Sequence, residues 1–141
     1  MSVDANEVYP RLYMGSRPGP EAGRRFDVIV LAAEEYQPTA AEIGARTVVH
    51  APLDDGPPMT AREKRAALQA AAHVATAVRH GKRVLVTCNM GLNRSGLITA
   101  LSLMLGAHVP RERAVALVRR ARGPDALANP HFLVFLSDVA R

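Results

Sequence analysis

Cysteine is nearly missing from this chain: Cys88 is the only one in 141 residues. A lone thiol excludes an internal disulfide and suits a reduced, cytoplasmic setting. Long hydrophobic runs are missing too, so no transmembrane span is expected. The first seven residues carry neither a basic nor an apolar stretch, and no signal peptide is read there. Internal repeats, low-complexity segments and linkers are not found. His73 and His80 lie seven apart without a third ligand at suitable spacing, so neither a metal site nor a cofactor is expected. Lysine is scarce, with 2 Lys against 16 Arg, and the net charge is +5. That charge would suit an acidic partner, whether phosphoprotein, RNA or anionic membrane surface; arginine beside abundant alanine also follows from codon bias.

What is present suffices for one domain spanning residues 1–141, with 48% apolar residues to build its core. The centre of the chain is residues 84–96. Val84, Leu85 and Val86 form an apolar run of strand length. Cys88 closes it, and Asn89, Met90, Gly91, Leu92 and Asn93 make a tight loop in which Gly91 suits a left-handed backbone angle or the close approach of a ligand. From Arg94 the pattern turns helical, with Leu97, Ile98, Leu101 and Leu105 at 3.6 spacing and Gly106 as the stop. A loop between a strand and a helix N-terminus gathers several backbone N–H groups into one concavity, which binds an oxyanion such as phosphate. The same field favours thiolate over thiol, which would make Cys88 a nucleophile. Arg94 can grip two phosphate oxygens at once, and the Ser95 hydroxyl can hydrogen-bond the sulfur.

Around this centre the chain reads as alternating strands and helices, hence an α/β fold: a mostly parallel sheet of four or five strands flanked by helices. Residues 8–15 read as an edge strand entered through Pro10, and 28–31 and 47–51 as further strands. A short helix starts near Pro20, and residues 38–43 have room for one or two helical turns. Thr60 and Glu63 form a capping box for a helix running to about His80, with Leu68, Ala71, Ala72, Ala75 and Val78 facing inward. Pro110 suits position N1 of a helix over 111–122, whose Ala114, Leu117, Val118 and Ala121 face the core while Arg111, Arg113, Arg119, Arg120 and Arg122 form a solvated cationic face. Asn129-Pro130 caps a last helix that packs Phe132, Leu133, Phe135, Leu136 and Val139 inward. Asp54 and Asp55, adjacent carboxylates on a Gly/Pro-marked loop, are candidates for acid–base work or parts of a plain turn.

The pattern Cys88-x5-Arg94-Ser95 resembles the phosphate-binding loop of cysteine-dependent protein phosphatases, the dual-specificity subgroup in particular. Pro10, Leu12, Tyr13 and Gly15 match the opening stretch of that subgroup, and Asn129, Pro130 and Phe132 its closing helix. The histidine that usually precedes the cysteine is Thr87 here, which can hydrogen-bond but carries no charge. The resemblance implies a general-acid aspartate some tens of residues before the cysteine; Asp55 lies 33 before Cys88, and the Leu53-Asp54-Asp55-Gly56 wording is similar to the regenerating-liver group, in which the second aspartate is the acid. It thus implies a protein phosphatase acting on phosphotyrosine, and on phosphoserine or phosphothreonine, through a phosphocysteine, with Cys88, Arg94, Asp55 and Ser95 catalytic and Asn89 to Arg94 binding phosphate. Two alternatives stand beside it. Gly91-Leu92-Asn93-Arg94 also resembles the RNA 5′-triphosphatase branch of the superfamily, and Thr87 would fit a phospho-binding module with impaired catalysis.

Overall fold

The computed structural model describes residues 3–141. Its strands are β1 (Ala5–Tyr9), β2 (Leu12–Gly15), β3 (Val28–Ala33), β4 (Thr47–Leu53) and β5 (Val84–Thr87); its helices are α1 (Pro20–Arg25), α2 (Ala61–Arg79), α3 (Arg94–Gly106), α4 (Arg111–Arg122) and α5 (Pro130–Ala140). The strands form one sheet in the order β1-β2-β5-β3-β4, parallel except for β1. The apolar runs of β3 and β5 are buried at every position, as strands covered on both faces must be.

Strand alternation divides the core in two. Val28, Val30, Val84 and Val86 face α2 to α5 and join one large cluster with Leu97, Leu101, Val118 and Phe132. Ile29, Leu31 and Leu85 face the other way and pack with Ala22, Phe26 and Ile43, so α1 and the segment before β4 cover the second face.

Several expectations need correction. Residues 8–15 are not one edge strand. Arg11 takes φ +68° and turns the chain at Pro10-Arg11, so β1 folds back antiparallel on β2; β1 is the edge, and β2 lies inside the sheet. Residues 38–43 make only hydrogen-bonded turns, and Gly44 at φ +63° closes them before a helix can propagate. β4 runs two residues beyond Ala51, and Pro52 is tolerated because β4 is an edge. The buried stripe of α2 is Ala67, Ala70, Ala71, Val74, Ala75 and Ala77, while Ala72 is exposed and Leu68 and Val78 are half-buried; alanine on all sides leaves the helical phase weakly marked. Leu105 is exposed and Gly106 lies inside α3, where a Cβ would come within 2.5 Å of the Ala75 Cβ; the glycine is there to let α3 approach α2. Pro110 is the N-cap of α4 and not its first helical residue. In α4, Val115 is buried, and Leu117 and Ala121 only partly so.

The Thr60 box is complete: the Glu63 N–H donates to Thr60 Oγ1 at 3.1 Å, and the Thr60 N–H to Glu63 Oε1 at 3.0 Å. Glu63 Oε2 also accepts from the Asp54 N–H at 2.8 Å, which joins the helix start to the loop after β4. Thr60→Ala should therefore cost about 1 kcal/mol of stability, read as a lower midpoint in urea unfolding; an unchanged midpoint would show the cap to be dispensable.

Candidate active site

β5 lies in the middle of the sheet, so its carboxyl end opens between those of β2 and β3, the place where open α/β sheets bind ligands. The loop 88–93 leaves from that end and enters α3 at Arg94. Cys88 is held at the base, its N–H donating to Gly15 O at 3.3 Å and its Sγ lying 3.3 Å from Ser95 Oγ. Gly91 has φ +72°, and a Cβ there would meet Gly15 C at 2.6 Å and Arg122 Nη2 at 2.5 Å, so both conformation and space demand glycine. Thr87 does not reach the loop: it is buried, and its hydroxyl donates to Val30 O at 2.7 Å, tying β5 to β3.

Arg94 is buried and engaged on one edge. Nη1 and Nη2 donate to Glu35 Oε1 and Oε2 at 2.6 and 2.8 Å, and Nη1 also to Leu53 O at 3.2 Å. Its Nε is buried and has no partner among the described residues. The Arg94 hydrogen bonds hold the Glu35 carboxyl down at about 2, and the same pairing raises the guanidinium further.

Asp55 is carried to the loop by two amides. Asn93 Nδ2 donates to Asp55 Oδ2 at 3.3 Å, and Asn129 Nδ2 donates to Oδ1 at 3.0 Å and to the backbone O at 2.9 Å. Asn93 Oδ1 in turn accepts from the N–H groups of Ala128 and Asn129 at 2.9 and 3.1 Å. Asp54 faces elsewhere: its Oδ1 accepts from the Gly56 N–H at 3.1 Å, and it lines a groove with Glu34, Arg62 and Glu63. Asn89 accepts from Arg17 Nε at 3.0 Å, and the Arg17 guanidinium lies 4.9 Å from the centre of the Tyr36 ring. Met90, at the rim, is 66% exposed.

The structure thus gathers Cys88, Arg94, Ser95, Asp55 and the loop 89–93 in one place, and leaves Asp54 outside it. Sequence reasoning missed Glu35 and Arg122. Glu34-Glu35 follows β3 as Asp54-Asp55 follows β4, and two carboxylate pairs at neighbouring strand ends were the available signal. Arg122 was hidden in a run of arginines. The cationic face of α4 needs correcting accordingly: the Arg122 side chain is only 7% exposed and its guanidinium holds Gly91 O and Met90 O, while Arg119 donates to Ala126 O and Leu127 O. His73 and His80 are exposed, and no group of three or more His, Cys, Asp or Glu among the described residues could hold a metal ion.

The arrangement provides a thiol at the mouth of a buried helix N-terminus, a guanidinium with one edge unpaired among the described residues, and a carboxyl beside them. Residues 12–141 match the family described as dual specificity phosphatase, catalytic domain. Among solved structures, Tk-PTP in its active form is 26% identical, with 99% of this chain and 98% of that chain covered and a TM-score of 0.83. Human DUSP28 is 24% identical, with 99% and 95% covered and a TM-score of 0.82, and PTPMT1 is 18% identical, with 95% and 92% covered and a TM-score of 0.74; these two share the fold. A search among curated proteins finds no match. With the family model covering nearly all of it, the chain belongs to the dual specificity phosphatase catalytic-domain family and is a cysteine-dependent phosphatase.

Proposed function

We propose that this phosphatase hydrolyses phosphotyrosine, and phosphoserine or phosphothreonine, in a protein substrate through a phosphocysteine. The observation that carries the reading is the meeting of Cys88, Ser95 and the unpaired edge of Arg94 with an aspartate held in place by a residue of the loop itself. Cys88 Sγ attacks phosphorus in line; the S–P bond forms as the bond to the leaving oxygen breaks, and Asp55 gives that oxygen its proton. Water then attacks phosphorus, its proton passes to Asp55, and the sulfur leaves with the Ser95 hydroxyl hydrogen-bonded to it. Arg94 and the amides of 89–94 hold the equatorial oxygens, whose charge they stabilise most in the transition state.

Glu35 decides which edge of Arg94 meets the substrate. A guanidinium offers two forks, and Glu35 occupies the Nη1–Nη2 fork, which leaves Nε and the second hydrogen of Nη2 for two phosphate oxygens. The RNA 5′-triphosphatase reading keeps the basic charge in its favour, but Asp55 held beside the loop favours a monoester with a poor leaving group. Rates on a phosphopeptide and on triphosphorylated RNA separate the two.

Cys88→Ser should abolish turnover of an aryl phosphate and retain phosphate binding; near-wild-type activity would overturn the assignment. Asp55→Asn should lower kcat for an aryl phosphate by about a hundredfold or more, and near-wild-type kcat would remove Asp55 from the reaction. Turnover absent at every pH in a folded wild type that still binds phosphate would favour the binding module. The Glu35 pair has its own pH signature. Its folded value lies below the ordinary 4.5, so its stabilisation is complete above about 4.5 and is lost as pH falls toward about 2. Glu35 is 40% exposed, so solvent screens the pair and its worth is on the order of 1 kcal/mol. The melting-temperature gap between wild type and Glu35→Gln should hold constant from pH 7 to 5 and close below it; a gap independent of pH would contradict this.

A further inference from the structure

Three successive carbonyls of the loop have partners outside it. Met90 O accepts from Arg122 Nη2 at 3.1 Å, Gly91 O from Arg122 Nε at 2.9 Å, and Leu92 O from the Leu127 N–H at 3.3 Å. The C=O and N–H of a planar trans peptide point in opposite directions, and no peptide among the described residues is cis. Drawing the carbonyls of 90, 91 and 92 outward therefore turns the N–H groups of Gly91, Leu92 and Asn93 to the opposite side. Among the described residues, no protein group accepts from those three N–H groups.

Arg122 is built for this task. Its remaining donors go to the N-terminal hairpin: Nη1 to Asp4 Oδ1 at 3.0 Å and Asn6 Oδ1 at 2.8 Å, and Nη2 to Asp4 Oδ2 at 3.2 Å. All five guanidinium hydrogens thus have an acceptor, three on the hairpin and two on the loop. Asp4 opposes the charge of Arg122, and the hydrogen bond from Arg122, with one from Ser16, keeps the Asp4 carboxyl below its usual range. With the charge matched in this way, what Arg122 offers the loop is direction and not field. A lysine could not replace the fork, having one nitrogen where two separated ones are needed.

We propose that Arg122 is a positioning residue of the phosphatase reaction: by holding the carbonyls of Met90 and Gly91 it aims the amides of Gly91 and Leu92 at the transferring phosphoryl group, while touching neither substrate nor nucleophile. The proposal rests on the loop being the phosphate site. Amides aimed at developing charge count chiefly in the transition state, so the loss falls on kcat and on inhibition by phosphate more than on stability alone.

The test measures kcat and KM for an aryl phosphate, the inhibition constant of inorganic phosphate, and the melting temperature, for wild type, Arg122→Met, Arg122→Lys and Asp4→Asn. Arg122→Met should lower kcat by about a hundredfold and weaken phosphate inhibition about tenfold. Arg122→Lys should fall between it and wild type, and Asp4→Asn should shift both quantities in the same direction by less. Wild-type kcat and phosphate inhibition in a folded Arg122→Met with only its melting temperature lowered would overturn the proposal and leave Arg122 a brace. Should Arg122→Met not fold, wild-type kinetics in both Arg122→Lys and Asp4→Asn would overturn it equally. A folded wild type that neither hydrolyses the aryl phosphate nor binds phosphate would instead overturn the reading of the loop, and the proposal with it.

Discussion

A loop can hold an anion with its backbone amides only if the carbonyls of the same peptides are satisfied elsewhere. That requirement shapes the whole molecule. The loop after β5 is short and tight, so its carbonyls cannot pair within it, and partners must come from distant parts of the chain. α4 sends Arg122 and the segment after it supplies the Leu127 N–H, while β2 fixes the start of the loop by accepting the Cys88 N–H at Gly15 O. The hairpin of β1 and β2 then anchors Arg122 through Asp4 and Asn6. Elements from both ends of the chain thus converge on six residues in its middle.

The side-chain chemistry follows the same economy. Few polar groups reach the cup, and each is held by a second. Glu35 orients Arg94; Asn93 and Asn129 orient Asp55; Ser95 lies against Cys88. Asn129 also caps α5 through the His131 N–H at 2.9 Å, so one side chain both starts a helix and steadies a carboxylate. Thr87 takes no part in this network, its hydroxyl being engaged with β3.

Much of this was legible in the residues. Val84 to Val86, Gly91 and the Cys88-Arg94 spacing mark the strand, the turn and the entry into α3, and Thr60-x-x-Glu63 marks the start of α2 to the residue. Local chemistry leaves local signatures. Where the sequence was silent, the deciding contact was distant: Arg122 reaches Met90 across 32 residues and Asp4 across 118, and nothing in the Arg-rich run of α4 distinguishes it from Arg113 or Arg120. The hairpin at Pro10-Arg11 was missed because it rests on a left-handed arginine, a conformation that residue type does not advertise. The stripe of α2 was misplaced because alanine occupies both its faces.

α3 is buried around its whole circumference from Arg94 to Leu103. Such a helix opens only with the core itself, so the surroundings of Cys88 belong to the least yielding part of the protein. The loop bearing Asp55, by contrast, is tied to the site by side-chain amides at its rim. Heat should therefore act on this protein in two stages, first loosening the loop that bears Asp55 while the turn between β5 and α3 keeps its shape, and only at global melting undoing that turn as well.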